Sequence, residues 1–173
     1  MATSGWCRSQ PRAAGWASAQ RSGGSTPSAG ELRRGDLDEL RPGVYAFNDA
    51  QQLGLGAAEP GDLALAVVAT VVSRPDAGRL VLDCGSKSLG ADRAPYCDGW
   101  GWLPQWPDAV VTGLWEHHAV VSASGALEAA VGDRLAVVPN HVCSAVNLTR
   151  ELVVVHDGAV VDRWPVDAGL ANR

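Results

Sequence analysis

The 173-residue chain carries 14 Lys and Arg against 19 Asp and Glu, a formal charge of −5. Three of those arginines and none of the acids lie in residues 1–30, so the remainder holds 11 basic against 19 acidic residues, a balance of −8. That sign is wrong for a phosphate-binding surface and argues against nucleic acid and anionic membranes as partners.

Residues 1–30 contain no Leu, Ile, Val, Phe, Tyr, Asp or Glu, and a segment so poor in aliphatic residues cannot bury enough surface to offset its ordering entropy. It is expected to be a disordered tail, dispensable for folding, ahead of one domain over residues 31–173. No apolar run approaches a membrane span, and no secretory h-region is seen. The cysteines, Cys7, Cys84, Cys97 and Cys143, show neither a CxxC pair nor regular spacing, which suits a reducing cytoplasm better than a disulfide framework.

After the tail, "ELRRGDLDELRPG" is a polar entry segment with room for one helical turn, stopped by Pro42 and Gly43. "GVYAFND" alternates as a half-buried strand does, and "DLALAVVATVVS" is a long β-branched run bounded by Gly61 and Pro75. "RPDAG" turns it into "RLVLDCG", a hairpin. Residues 85–108 form a long irregular loop, and a loop of that length in a compact domain is usually functional or a cover. "AVVTGLWEHHAVVSA" reads as two strands broken near Gly113, followed by the strand "GDRLAVVP", and "NHVCSAVNLTRE" is a loop or short helix. "LVVVHDGAVVDRWPV", with Asp157-Gly158 between two valine-rich runs, is the strongest hairpin signal. The expected fold is mainly β, a barrel-like or sandwich-like antiparallel domain with short helical turns.

Three groups of residues could carry chemistry. His141 and Cys143 are two apart: on an extended chain both would face one ion, whereas on a helix they would diverge by about 200°. Imidazole and thiolate together suit zinc, although two buried side chains with no ligand would look the same in sequence. In "WEHH", Glu116 and His118 would share a strand face and could supply a third ligand or fix the tautomer of His141. "DCGSKSLGADR" gathers Asp83, Ser86, Lys87, Ser88 and Asp92 where a strand enters the long loop. The tryptophans of "GWGWLPQW" could be a stacking surface or the cover of a barrel end.

Taken in order and spacing, "RPGVYAFNDAQQLGLG", "LALAVVATVVSRPDAGRLVLDCGSKSLGADR", "WEHHAVV", "GDRLAVVPNHVCSAVNL" and "VVDRWPV" resemble the C-terminal domain of the D-serine dehydratase and D-threonine aldolase family. The resemblance covers about residues 40–166. It implies a β-domain that completes the site of an alanine-racemase-like enzyme whose N-terminal barrel binds pyridoxal phosphate (PLP) through a lysine. It also implies zinc on His141 and Cys143, activating the β-hydroxyl of a D-amino acid, with Glu116, His118, Ser86, Lys87 and Tyr45 as supporting or substrate-contacting groups. Cys143 favours the dehydratase branch, because the aldolases tend to carry a carboxylate there. The expected partners are a PLP-binding barrel domain or subunit, a second copy in a homodimer, and a D-amino-acid substrate. With Lys87 its only lysine, the chain is expected to have no catalytic residue sufficient for elimination on its own. A non-catalytic metal- or ligand-binding module and a degenerate structural remnant are the alternatives to a lyase domain, and D-threonine aldolase activity is the alternative within it.

Overall fold

The computed structural model describes residues 21–22, 26–29 and 39–169. Most of the 1–30 tail, and most of the turn expected in "ELRRGDLDELRPG", fall outside the described residues. The chain divides into two compact units, residues 1–42 and 43–173. In the first, β1 (Arg21–Ser22) and β2 (Glu39–Leu40) pair in parallel.

The second unit is mainly β, as expected. After the short helix α1 (Ala50–Gly54) come β3 (Val67–Asp76) and β4 (Arg79–Leu82), then α2 (Ser86–Leu89) and β5 (Gly101–Trp102). They are followed by β6 (Val110–Leu114), β7 (Ala119–Ser122), β8 (Arg134–Pro139), α3 (Val142–Leu148), β9 (Glu151–His156) and β10 (Ala159–Pro165). Six strands form one antiparallel sheet in the order β5-β8-β3-β4-β7-β6. It curls into a nearly closed barrel, and Trp100 N–H, just ahead of β5, donates to Val111 O on β6 at 3.3 Å.

The alternation that suggested strands is what fills the barrel. Val71, Leu80, Leu82, Val111, Val121 and Val137 point inward, each with no exposed surface. Opposite faces of one strand diverge in the same way: Val68 on β3 is exposed while its neighbour Ala69 is buried. Leu89 of α2, with Leu103 and Leu127 from connecting segments, completes the cluster. Trp100 and Trp106 pack against that cluster, so these two tryptophans of "GWGWLPQW" cover the core. Trp100 also lies under the Arg93 guanidinium, 4.6 Å from the ring centre.

The hairpins follow their turn chemistry. Ala77-Gly78 joins β3 to β4, with Asp76 Oδ1 accepting Gly78 N–H at 3.0 Å. Asp157 and Gly158 both take positive φ, 48° and 76°, which is the type I′ geometry that suits the twist of β9 and β10.

Two local readings are corrected. "GVYAFND" is a 3-10 turn (Val44–Ala46), not a strand, because Asn48 enters the left-handed region at φ 53° and Asp49 starts a helix. The break in "AVVTGLWEHHAVVSA" falls at "WEHH", not at Gly113. Trp115 N–H donates to His118 O at 2.8 Å and closes a four-residue hairpin loop. Gly113 instead absorbs a shift in register beneath the Trp115 ring.

Candidate functional site

Where β8 ends, the chain changes direction. Asn140 is buried, and its amide donates to Asp92 O at 3.0 Å and Gly99 O at 2.9 Å, so the strand end holds the long loop in place. His141 follows in an extended conformation (φ −131°, ψ 113°) as the N-cap of α3, and Cys143 lies one residue inside that helix. The pair is therefore neither wholly extended nor wholly helical.

Helix α3 has no side-chain cap from His141. Its first N–H, that of Val142, donates instead to Asp49 Oδ2 at 3.0 Å, across 93 positions of sequence. Asp49 Oδ1 accepts Gln52 N–H at 3.0 Å and caps α1. One carboxylate, with no exposed surface, thus satisfies orphan donors of two helices. Its Oδ2 also lies 3.3 Å from His141 Nδ1. Nδ1 is buried and has no aligned hydrogen bond, while the His141 side chain as a whole is 30 % exposed. Asp49 was not among the residues singled out in sequence. The signal was present: an Asp directly before "AQQLG" is an N-cap pattern, hidden by reading "GVYAFND" as a strand.

Cys143 is exposed, and its thiol is pushed above its ordinary value by partial burial and by the carboxylates of Asp49 and Asp92. The same field that opposes the thiolate attracts a cation, so an arriving metal would replace the thiol proton. Cys97, whose Sγ donates to Ala50 O at 3.5 Å, is raised by burial and then by Asp49 and Asp98. Cys84 is different. Burial, helped by Asp83, pushes it up to about 12, and it is a core side chain.

Nitrogen and sulfur donors two residues apart, beside two carboxylates, fit a borderline-soft divalent ion such as zinc. Among the described residues no three His, Cys, Asp or Glu groups are placed to hold a metal ion together. An ion held by His141 and Cys143 would therefore need its remaining ligands from water, substrate or another chain.

The other expected groups gather a short distance away, since α2 packs on α3. Lys87 Nζ lies 2.8 Å from Glu116 Oε2 and 3.5 Å from His117 Nε2. The Lys87 hydrogen bond and charge hold the Glu116 carboxyl below its usual value. Ser86 N–H and Lys87 N–H donate to the carbonyls of Trp115 and Glu116, at 2.7 Å and 3.1 Å. Glu116 therefore pairs with Lys87 in the structure, and Asp49 is the carboxylate beside His141. His118 and Tyr45 are exposed. A surface cavity of ≈ 430 Å³, lined by Leu53, Tyr96, Cys97, Trp102, Asp108 and Asn140 among others, adjoins this region without including His141 or Cys143.

Residues 64–155 match the family model described as "Putative serine dehydratase domain". An uncharacterized protein of Mycobacterium tuberculosis is 51% identical over 132 residues, which span 73% of this chain and 99% of that protein. A D-threonine aldolase of Arthrobacter is 39% identical over 153 residues, 84% of this chain and 38% of the enzyme. Among solved structures, D-threo-3-hydroxyaspartate dehydratase from Delftia superposes with a TM-score of 0.71 at 30% identity, covering 82% of this chain and 42% of the enzyme. That dehydratase is also known with a histidine replaced by alanine and, two positions further on, with a cysteine replaced by alanine, the latter in the metal-free form. The chain spans about two fifths of the two enzymes and nearly all of the mycobacterial protein.

Proposed function

The chain belongs to the serine dehydratase domain family, and from that premise we propose that it is the metal-binding β-domain of a PLP-dependent D-amino-acid lyase of the D-serine dehydratase type. The observation that carries the reading is the His141–Cys143 pair at the head of α3, beside a buried carboxylate. Its two-residue spacing equals that of the histidine and cysteine replaced in the Delftia enzyme. In that reading His141 and Cys143 hold one zinc ion.

Zinc would supply Lewis acidity toward the β-hydroxyl of a D-amino acid, lowering the barrier to its departure. PLP would come from a barrel domain or subunit and supply the electron sink at the α-carbon. The residues of this chain would do the rest. Asn140 and Asp49 hold the strand end and the helix start rigid, so that both donors keep their places. Lys87, fixed by Glu116, presents a positive group on the neighbouring helix for a substrate carboxylate or a partner surface. A D-threonine aldolase activity is the alternative chemistry within this reading, and the thiol at Cys143 favours the dehydratase. In this reading the domain works in the cytoplasm beside a separate cofactor subunit, and a mycobacterial relative of similar extent supports the idea of a separate module. No helix among the described residues is long and apolar enough to cross a membrane.

The test is metal analysis and equilibrium dialysis of untagged protein. The expected result is about one zinc per chain, bound weakly by two protein donors, with affinity falling tenfold or more in His141→Ala and in Cys143→Ala. Zinc should also slow alkylation of Cys143 while leaving buried Cys84 unreactive throughout. Retention of parental affinity by both variants would sink the site. As a control, the chain with zinc and PLP alone should release no pyruvate from D-serine.

A further inference from the structure

Asp49 does more than cap helices. Its two oxygens already accept Gln52 N–H and Val142 N–H, and Oδ2 faces a ring nitrogen of His141 at 3.3 Å. That nitrogen, Nδ1, is buried and has no other hydrogen-bond partner. A neutral imidazole carries one N–H and one lone pair. A lone pair on Nδ1 would face the lone pairs of a buried carboxylate, leaving two acceptors opposed and the buried ring nitrogen unsatisfied. A proton on Nδ1 removes that conflict, and a ring rotation that aims it at Oδ2 would make a charge-assisted hydrogen bond. The backbone beside the ring is tied to the same oxygen through Val142 N–H, so one carboxylate oxygen meets both the ring and the helix start.

We propose that Asp49 is a positioning residue that holds His141 as the Nδ1–H tautomer and so presents the Nε2 lone pair to the metal. The last step rests on the reading of His141 as a zinc ligand, whereas the tautomer does not. The arrangement is the carboxylate–histidine–metal relay by which a partner outside the coordination sphere orients a ligand and raises its basicity. Here the carboxylate comes from a distant loop, 92 positions before the histidine, which makes α1 part of the metal site without touching the ion.

The decisive measurement is long-range 1H–15N NMR of the metal-free protein at a pH where imidazole is neutral, with the His141 signals assigned by their loss in His141→Gln. The parent should show His141 protonated on Nδ1, an assignment that needs no other variant to fold. Asp49→Asn keeps the size of the side chain and can turn an amide N–H toward Nδ1. It should move the proton to Nε2 and weaken zinc binding about 10- to 100-fold, and Asp49→Glu should restore part of both. An Nε2–H tautomer in the parent, or an unchanged tautomer in a folded Asp49→Asn, overturns the role. If the parent is Nδ1–H and binds no zinc, the tautomer stands and the metal reading fails. If it is Nε2–H and binds zinc, the metal reading stands and Asp49 is structural only.

Discussion

Gly85→Ala should destabilise the domain by about 3 kcal/mol, the upper end of the usual range for overpacking. A Cβ at this position would lie 2.2 Å from Trp115 O and 2.5 Å from the backbone of Glu116. Those atoms cannot retreat cheaply, because Trp115 O and Glu116 O accept the N–H groups of Ser86 and Lys87. The backbone of Gly85 is extended, at φ −148°, so the effect is steric and not conformational. Relief requires α2 to lift from the β6–β7 turn, which pulls Leu89 out of the core and separates Lys87 from Glu116. Gly61→Ala is the matched control, since its Cβ would meet nothing within 4 Å. Urea unfolding of both variants checks the argument. A Gly85→Ala loss no larger than that of Gly61→Ala would show that the two loops are not in the contact described.

Leu80→Ala should lower stability by about 2–5 kcal/mol, the range for deleting a fully buried leucine. Leu80 has no exposed surface and stands opposite Val121 on β7, in the middle of the β3-β4-β7 stretch of the sheet. Its neighbours on both sides are held by strand pairing, so the cavity cannot collapse. Val68→Ala on β3 is the contrast. Val68 is 68% exposed, and its truncation should change stability by no more than about 0.5 kcal/mol. The midpoint in urea should fall for Leu80→Ala with the slope unchanged. A loss below about 1 kcal/mol would mean that this strand face is not the centre of the core.

Much of the barrel could be read from local pattern because its causes are local. The β-branched run of β3, the Ala77-Gly78 turn, and the Asp157-Gly158 turn each carry their own stereochemical instruction. The same holds for the end of β8, where Pro139 has no N–H to continue the ladder. What resisted reading was set by distant partners. Asp49 gains its meaning from Val142 and His141, more than 90 positions later, and no window of sequence contains both. Glu116 could be taken for a partner of His141 only until Lys87, 29 positions before it, claimed its carboxylate. "WEHH" sits between two valine-rich runs that read as strands. The chain turns there because Trp115 and His118 close a loop that α2 then fastens, a tertiary contact that no local pattern announces. The tryptophans of the long loop were ambiguous for the same reason: only the packing of Trp100 and Trp106 shows which surface they cover.

The β9–β10 hairpin is a two-stranded sheet of its own, with no third strand beside it among the described residues. Val153, Val155, Val160, Val161 and Trp164 are all about half exposed or more. The contacts that brace it are largely internal, Arg163 to Glu151 and Trp164 Nε1–H to Asp162, with Val166 N–H reaching Arg150 O at its base. A hairpin of this kind is only marginally stable by itself. Its amide protons should therefore exchange with solvent through a local opening that leaves the barrel intact, while those of β4 and β7, paired on both sides, wait for global unfolding. Two exchange regimes in one small domain mean that the arm carrying the exposed valines samples open states long before the fold that holds His141 and Cys143 gives way.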